Sequence, residues 1–229
     1  MRNMIFGAAG AVVLAATTAA AADGDAILKQ QCAACHALEK PNAFSVERLW
    51  DRKGPDLYYA GAKFNRDWLV EWLQNPTRIR PAGTHYARIV VAGEKADVVD
   101  EKKLAPHPKL AKGDAESVAD ALMALKGPDG LVVPGAYKGE KANMRLGEMA
   151  FTKLRGCSAC HRSSADEGGL SGPELHTASR RLKPDYVAEY IKDPQKFDPH
   201  VWMPKQEMSD KDIERLTGYL LQLGQGERK

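Results

Sequence analysis

The sequence predicts an all-α protein with two similar halves, and three observations support this prediction. Apolar residues recur at helical spacing in several segments, whereas alternating strand patterns are scarce and the clearest, residues 88–91, is short. Residues 54–85 align without a gap with residues 172–203, at an offset of 118 (172 minus 54). Between the two copies, residues 127–140 are rich in glycine and proline, which is typical of a linker.

Composition narrows the class of protein before any motif is considered. The 229 residues are 44% hydrophobic and 28% charged, which argues against disorder, collagen-like repeats and a polytopic membrane protein. The formal net charge of +3 is too balanced to indicate nucleic acid as a partner. Four cysteines allow disulfides, a zinc site or reactive pairs, and their positions decide among these.

The first residues have the pattern of a secretory signal peptide. Arg2 precedes an uncharged, mostly apolar run over residues 4–22, which ends in three alanines before Asp23. The alternative is an uncleaved membrane anchor, but the many alanines make this run a weak membrane span. We therefore predict that residues 1–22 are removed and that the remaining chain is periplasmic, without stable membrane insertion.

All four cysteines occur in two copies of a C-x-x-C-H motif. The first copy is Cys32, Cys35 and His36, and the second is Cys157, Cys160 and His161. This spacing is typical of covalent haem attachment, because two cysteines one helical turn apart reach both vinyl groups and the next histidine reaches the iron. A redox disulfide would follow a β-rich run, and a zinc site would not need both histidines. The sequence therefore predicts two covalently bound haem c groups.

The repeat also predicts where the helices and domains lie. Two amphipathic helices, residues 66–74 and 184–192, should end before a proline that restricts the preceding residue. Two closing helices are predicted over residues 114–125 and 212–223. The predicted division is a signal peptide at 1–22, a first domain at 23–126, a linker at 127–140 and a second domain at 141–229.

Each half resembles a class I cytochrome c domain, and the two together resemble the dihaem cytochromes c. The resemblance rests on C-x-x-C-H, a Gly-Pro-x-Leu element, a late ligand and a closing amphipathic helix. It implies that the first helix of each domain crosses the last, as Gly147 and Tyr219 would allow. It also implies that the carbonyls of Pro55 and Pro173 accept the Nδ1 protons of the two motif histidines.

The predicted distal iron ligands differ between the halves. Met203, in a Met-Pro element, is the predicted ligand of the second haem, with Met208 as a weaker competitor. The first half has no methionine between its motif and Met123, which fits the core of a closing helix better. His85 is the ungapped counterpart of Met203 and is favoured, with His107 as the alternative and an open iron as a third possibility.

These ligands predict an electron carrier and not an enzyme. Methionine raises the reduction potential of a haem, whereas two histidines leave it lower. We therefore expect a low-potential His/His haem 1 and a higher-potential His/Met haem 2, exchanging electrons with redox protein partners. The alternatives are a dihaem peroxidase-like enzyme and an electron-transfer subunit of a larger oxidoreductase complex.

Overall fold

The computed structural model describes residues 23–79, 84–94 and 97–224, so the predicted signal peptide lies outside the described residues. The described part is mostly helical, as the all-α prediction requires, and its strands form one small two-stranded antiparallel sheet. The α-helices are α1 (Gly24–Ile27), α2 (Val46–Asp51), α3 (Ala60–Lys63), α4 (Arg66–Gln74), α5 (Lys112–Ala124), α6 (Met144–Met149), α7 (Ala178–Arg181), α8 (Pro184–Lys192) and α9 (Asp210–Gln222). The strands are β1 (Val90–Val91) and β2 (Val98–Val99).

Local chemistry explains why the long helices begin and end where they do. Both α4 and α8 have nine residues and end before an Asn-Pro or Asp-Pro pair, which confirms their predicted bounds. Pro184 begins α8, where the N–H that proline lacks would have no partner in the helix. Ser209 caps α9 by accepting a hydrogen bond from the backbone of Asp212.

In each half, the first helix packs against the last. Helix α1 lies against α5, and α6 lies against α9. A glycine permits close approach at both crossings: a Cβ on Gly24 would meet the backbone of Ser117, and one on Gly147 would meet the Tyr219 side chain. Phe151 completes the second crossing, with its ring centroid 5.7 Å from that of Tyr219. The contact expected between Gly147 and Tyr219 is therefore present.

The two copies of the repeat meet each other through equivalent elements. Helices α3 and α7, and likewise α4 and α8, have bounds that differ by the same offset of 118 as the sequences. Helix α3 of the first copy packs on α8 of the second, and α4 of the first packs on α7 of the second. Each helix therefore contacts the counterpart of its neighbour in the other copy. Buried side chains from both halves form one continuous apolar cluster.

The segment predicted as a linker forms no helix or strand; it begins at Gly127, against Tyr59 of the first half, and its later residues lie against the second half. Its backbone N–H groups are bound by two carboxylates: Asp185 accepts from Gly135 and Tyr137, each at 3.0 Å, and Glu214 accepts from Lys138 and Glu140 at the same distance. No helix among the described residues is long and apolar enough to cross a membrane.

Candidate haem sites

The first motif forms a single helical turn that brings its three reactive groups together. A π-helical turn, Leu28–Cys32, leads into it from α1. The backbone N–H groups of Cys35 and His36 both donate to the carbonyl of Cys32, each at 3.0 Å. Both thiols are free, so the turn is not closed by a disulfide. This arrangement suits two thioether bonds and one imidazole ligand on the same side of a porphyrin.

The second motif repeats this turn. A π-helical turn, Ala150–Leu154, again precedes it, and Gly156 links the two with a left-handed φ of 66°. The N–H groups of Cys160 and His161 donate to the carbonyl of Cys157 at 3.1 and 3.0 Å. Its two thiols are also free. Since both turns share this hydrogen-bond pattern, the residues of both motifs fit the attachment chemistry of haem c.

The motif histidines are oriented by proline carbonyls. The Nδ1 of His36 donates to the carbonyl of Pro55 at 2.7 Å, and that of His161 donates to the carbonyl of Pro173 at 2.8 Å. Burial lowers the pKa of both imidazoles, and the two hydrogen bonds oppose this effect only in part. Each ring is therefore neutral at neutral pH, and its Nε2 presents a lone pair to a metal ion.

A glycine lies against each of these rings. A Cβ added to Gly54 would press on the imidazole of His36, and one added to Gly172 would press on that of His161. These two glycines precede the carbonyl-bearing prolines in the aligned Gly-Pro element. The repeat showed the pair in the sequence, but only the structure shows that they make room for the histidine rings.

On the other side of the first site, the structure brings His107 close to His36. Their ring centroids are 6.2 Å apart, with an angle of 56° between the ring planes. Imidazole nitrogens bind metal ions at about 2 Å, so two imidazoles on opposite sides of one ion have centroids about 6 Å apart. The Nδ1 of His107 donates to the carbonyl of Pro108 at 2.9 Å, so the hydrogen bond of this ring uses Nδ1 and not Nε2. Trp72 supports the ring edge-on, at 4.5 Å.

His85, the ligand favoured by the ungapped alignment, lies in a different environment. Its ring is 4.5 Å from that of Trp50 and 4.6 Å from that of Trp202, measured between centroids. Burial, Arg52 and Arg88 lower the pKa of His85, and its Nδ1 is buried with no hydrogen-bond partner in the described part of the chain. The imidazole that the structure sets opposite His36 is thus that of His107.

Met203 lies on an irregular segment between α8 and α9. The segment is held at its backbone, because Gln195 donates through Nε2 to the carbonyl of Met203 at 3.0 Å. Two residues later, Lys205 forms an ion pair with Asp193 at 2.8 Å. Met203 is half-buried, whereas Met208 packs against the apolar core. Core packing accounts for Met208 without any ligand role.

Two basic residues lie at equivalent positions of the repeat, Lys63 partly exposed and Arg181 buried. Lys63 lies over the rings of Tyr59, Phe64 and Tyr186, with its Nζ 4.8 to 5.6 Å from their centroids. Burial, with repulsion from Arg181 and Arg52, lowers the pKa of Lys63 to about 7. Burial also lowers the pKa of Arg181, to about 10. Basic side chains in such an apolar setting suit an anionic ligand group.

Comparison with known proteins addresses the second half. Residues 142–220 match the family model of cytochrome C oxidase, cbb3-type, subunit III. No curated protein and no solved structure matches the chain. The matched range contains the second C-x-x-C-H turn and most of α9, and it extends over the Met-Pro element. The second half is therefore similar to a cytochrome c domain, an electron-transfer haem protein, and such a domain implies a covalently bound haem c.

Proposed function

We propose that this protein is an exported, periplasmic dihaem cytochrome c that transfers electrons between redox protein partners. The observation that carries the proposal is the identity of the two motif turns. In each, the cysteines and histidine lie on one turn, and the imidazole donates from Nδ1 to a prolyl carbonyl at 2.7 or 2.8 Å. The second turn lies in the matched range, and the first repeats its geometry, which supports a second tandem domain.

The proposed axial ligands are His36 and His107 in the first domain, and His161 and Met203 in the second. His107 replaces His85 in this assignment because of the 6.2 Å separation between the rings of His107 and His36. The iron of each haem supplies one-electron transfer when bound, and its potential follows its axial ligands. The chain fixes the orientation of each imidazole. It supplies a methionine sulfur, that of Met203, to the second iron only, and this difference in ligands separates the two reduction potentials.

Other residues of the chain would hold the periphery of each haem. The basic residues Lys63 and Arg181, at equivalent positions of the repeat, are the proposed partners of haem carboxylates. Trp68 and Trp72 form one stacked face of α4, and Tyr186 and Tyr190 lie at the matching positions of α8. These aromatic faces exclude water from the sites, which supports tight haem binding and electron transfer without exchange of substrate.

Haem counting and spectropotentiometry test the proposal. We expect two haems per chain, and the double variant Cys32→Ala/Cys35→Ala should retain one. The redox titration of the intact protein should show two one-electron waves with different midpoints, since each 59 mV of separation corresponds to about a tenfold preference for one centre. The cysteine variant should retain only the wave of higher potential. A single haem in the intact protein, or two waves with the same midpoint, would contradict the proposal.

A further inference from the structure

We propose that the first half of the chain is a structural part of the second haem site, because it positions the segment that carries Met203. The inference rests on the proposed ligation by Met203 and goes beyond it. The inference is argued from three contacts, at residues 197, 198 and 202, which precede Met203 in the sequence. In each of them, the contacting side chain comes from the first half.

The first contact is at Phe197, which begins the segment and is buried. Tyr58 donates a hydrogen bond from its hydroxyl to the carbonyl of Phe197 at 3.3 Å. The ring of Tyr59 lies 5.4 Å from that of Phe197, between centroids. Adjacent residues of the first half therefore hold both the backbone and the side chain of this position.

The second contact is a buried ion-pair cluster at Asp198. This carboxylate is 7% exposed and lies 3.8 Å from Arg48 and 3.6 Å from Arg52. Its other oxygen accepts from the backbone N–H of His200 at 3.0 Å, so the carboxylate also shapes the turn toward Met203. Oδ2 of Asp198 has ion-pair contacts but no hydrogen bond in the described residues. Moving the segment away from the arginines would leave a buried carboxylate uncompensated, which disfavours that movement.

The same arginines link the segment to the proximal side of the first site. Arg48 and Arg52 both pair with Asp56, which is buried and follows Pro55 in the chain. Pro55 is the residue whose carbonyl orients His36. A continuous set of contacts thus joins the support of the first proximal histidine to the segment of the second distal ligand.

The third contact is at Trp202, directly before Met203. Its ring lies edge-on to that of His85, with 4.6 Å between centroids, and His85 rests on Trp50 at 4.5 Å. Trp202 is otherwise largely exposed, at 66%. This contact gives His85 a role that does not require ligation of an iron: it holds Trp202, the residue next to Met203.

Competition by imidazole tests the inference in the full-length, haem-loaded protein. The ferric form of a methionine-ligated haem has a weak red charge-transfer band, and added imidazole removes the band by displacing the thioether. The variant Asp198→Asn removes the charge that pairs with Arg48 and Arg52, so we expect half-loss of the band at an imidazole concentration about tenfold below that of the wild type. Trp202→Ala, a change at an exposed side chain, should shift the titration in the same direction and tests the inference if Asp198→Asn folds poorly.

A matched control is available in Glu71→Gln. Glu71 pairs with Arg180 at 3.2 Å across the same two halves, but it does not touch the segment, and both side chains are exposed. Its imidazole titration should match the wild type. If Asp198→Asn and Trp202→Ala also titrate as the wild type, the inference is overturned while ligation by Met203 stands. A wild-type protein without the band, or a band that persists in Met203→Leu, overturns the proposed ligation and the inference together.

Discussion

Phe64 and Leu182 occupy the same position in the two copies of the repeat, and they pair with each other in an antiparallel bridge. The flanking hydrogen bonds are exchanged in the same way: Asn65 donates to the carbonyl of Arg181 at 2.9 Å, and Lys183 donates to that of Lys63 at 2.8 Å. These two hydrogen bonds therefore join equivalent positions of the two copies, as in the isologous interface of a symmetric dimer. The repeat in the sequence is therefore also a symmetry of the structure.

The hydrogen bonds between residues 63–65 and 181–183 form a junction between the two halves. The side chain of Asn65 allows us to predict how much this junction contributes to the free energy of unfolding. Its Nδ2 donates to the carbonyls of Arg180 and Leu182, at 2.9 and 3.3 Å. Asn65→Ala should lower the free energy of unfolding by about 1 to 2 kcal/mol, since these carbonyls lose their donor. Guanidinium titration followed by circular dichroism measures the loss.

The control for this prediction is the neighbouring residue. Arg66 forms an exposed ion pair with Asp120, in which the side chains are 42% and 63% exposed. A solvent-exposed pair contributes little to stability, so Arg66→Ala should cost less than Asn65→Ala. Equal losses in the two variants would mean that the junction adds no more than a surface contact.

Sequence reasoning succeeded where the cause is local. The bounds of α4 and α8 follow from apolar periodicity and from Pro76 and Pro194, which restrict the residue before them. The close approach at Gly147 was also predictable, because the helix crossing of a cytochrome c domain needs a small residue there. The pairing of the two motif histidines with Pro55 and Pro173 was implied by the resemblance and is present as hydrogen bonds.

The position of an insertion could not be predicted in this way. About twenty additional residues separate the aligned block from the closing helix in the first half, and an ungapped alignment places them after His85. In the structure, β1 and β2 pair with each other within this stretch, and His107 follows them on the approach to α5. The local sequence His107-Pro108-Lys109 resembles Met203-Pro204-Lys205 and pointed to His107, but the longer ungapped alignment favoured His85. Which histidine faces His36 depends on the tertiary path, which neither pattern fixes.

The close contact between Gly172 and the ring of His161 leads to a second prediction, about the reduction potential of the second site. Gly172→Ala should push the ring of His161 and weaken its hydrogen bond to Pro173, because the new Cβ meets the imidazole. Loss of such support costs about tenfold to a hundredfold in metal affinity. If this loss differs tenfold between the oxidised and reduced states, the potential shifts by about 59 mV.

Spectropotentiometry of the haem-loaded variant measures this shift. Gly54→Ala is the matched control, since its Cβ meets His36 at the first site. We expect each substitution to move the wave of its own centre more than the other wave. If both variants move the same wave, the two motif turns do not hold separate centres.

The lowered pKa of Asp212, near the start of α9, leads to a prediction that the free energy of unfolding depends on pH. Its carboxylate accepts from Ser209 at 3.0 Å and lies beside Arg215 and Arg155, and these partners lower its pKa. A lowered carboxyl pKa stabilises the fold above the ordinary value of 3.8, and that stabilisation is lost as pH falls through the lower folded value. Asp212→Asn should therefore cost about 1 kcal/mol at pH 7 and progressively less below pH 4.

Guanidinium titrations at several pH values measure this difference. Asp210→Asn, in the same helical turn, is the control, because the Asp210 side chain is 93% exposed and pairs only loosely with Lys192 at 3.6 Å. Asp210→Asn should cost less than Asp212→Asn at pH 7, because an exposed pair contributes little. A cost of Asp212→Asn that stays constant down to pH 2 would show that the carboxylate charge does not contribute.

The two histidines of the first half give the most direct test of its ligand set. His107→Ala should abolish the low-spin His/His signal in electron paramagnetic resonance of the ferric protein, because the imidazole 6.2 Å from that of His36 is removed. His85→Ala should leave this signal intact, since that ring contacts Trp50 and Trp202 instead. His107→Ala should also open the first iron to added imidazole, which restores a low-spin signal at millimolar concentration. The reverse pattern, with the signal lost in His85→Ala and kept in His107→Ala, would return the ligand to the residue that the ungapped alignment favours.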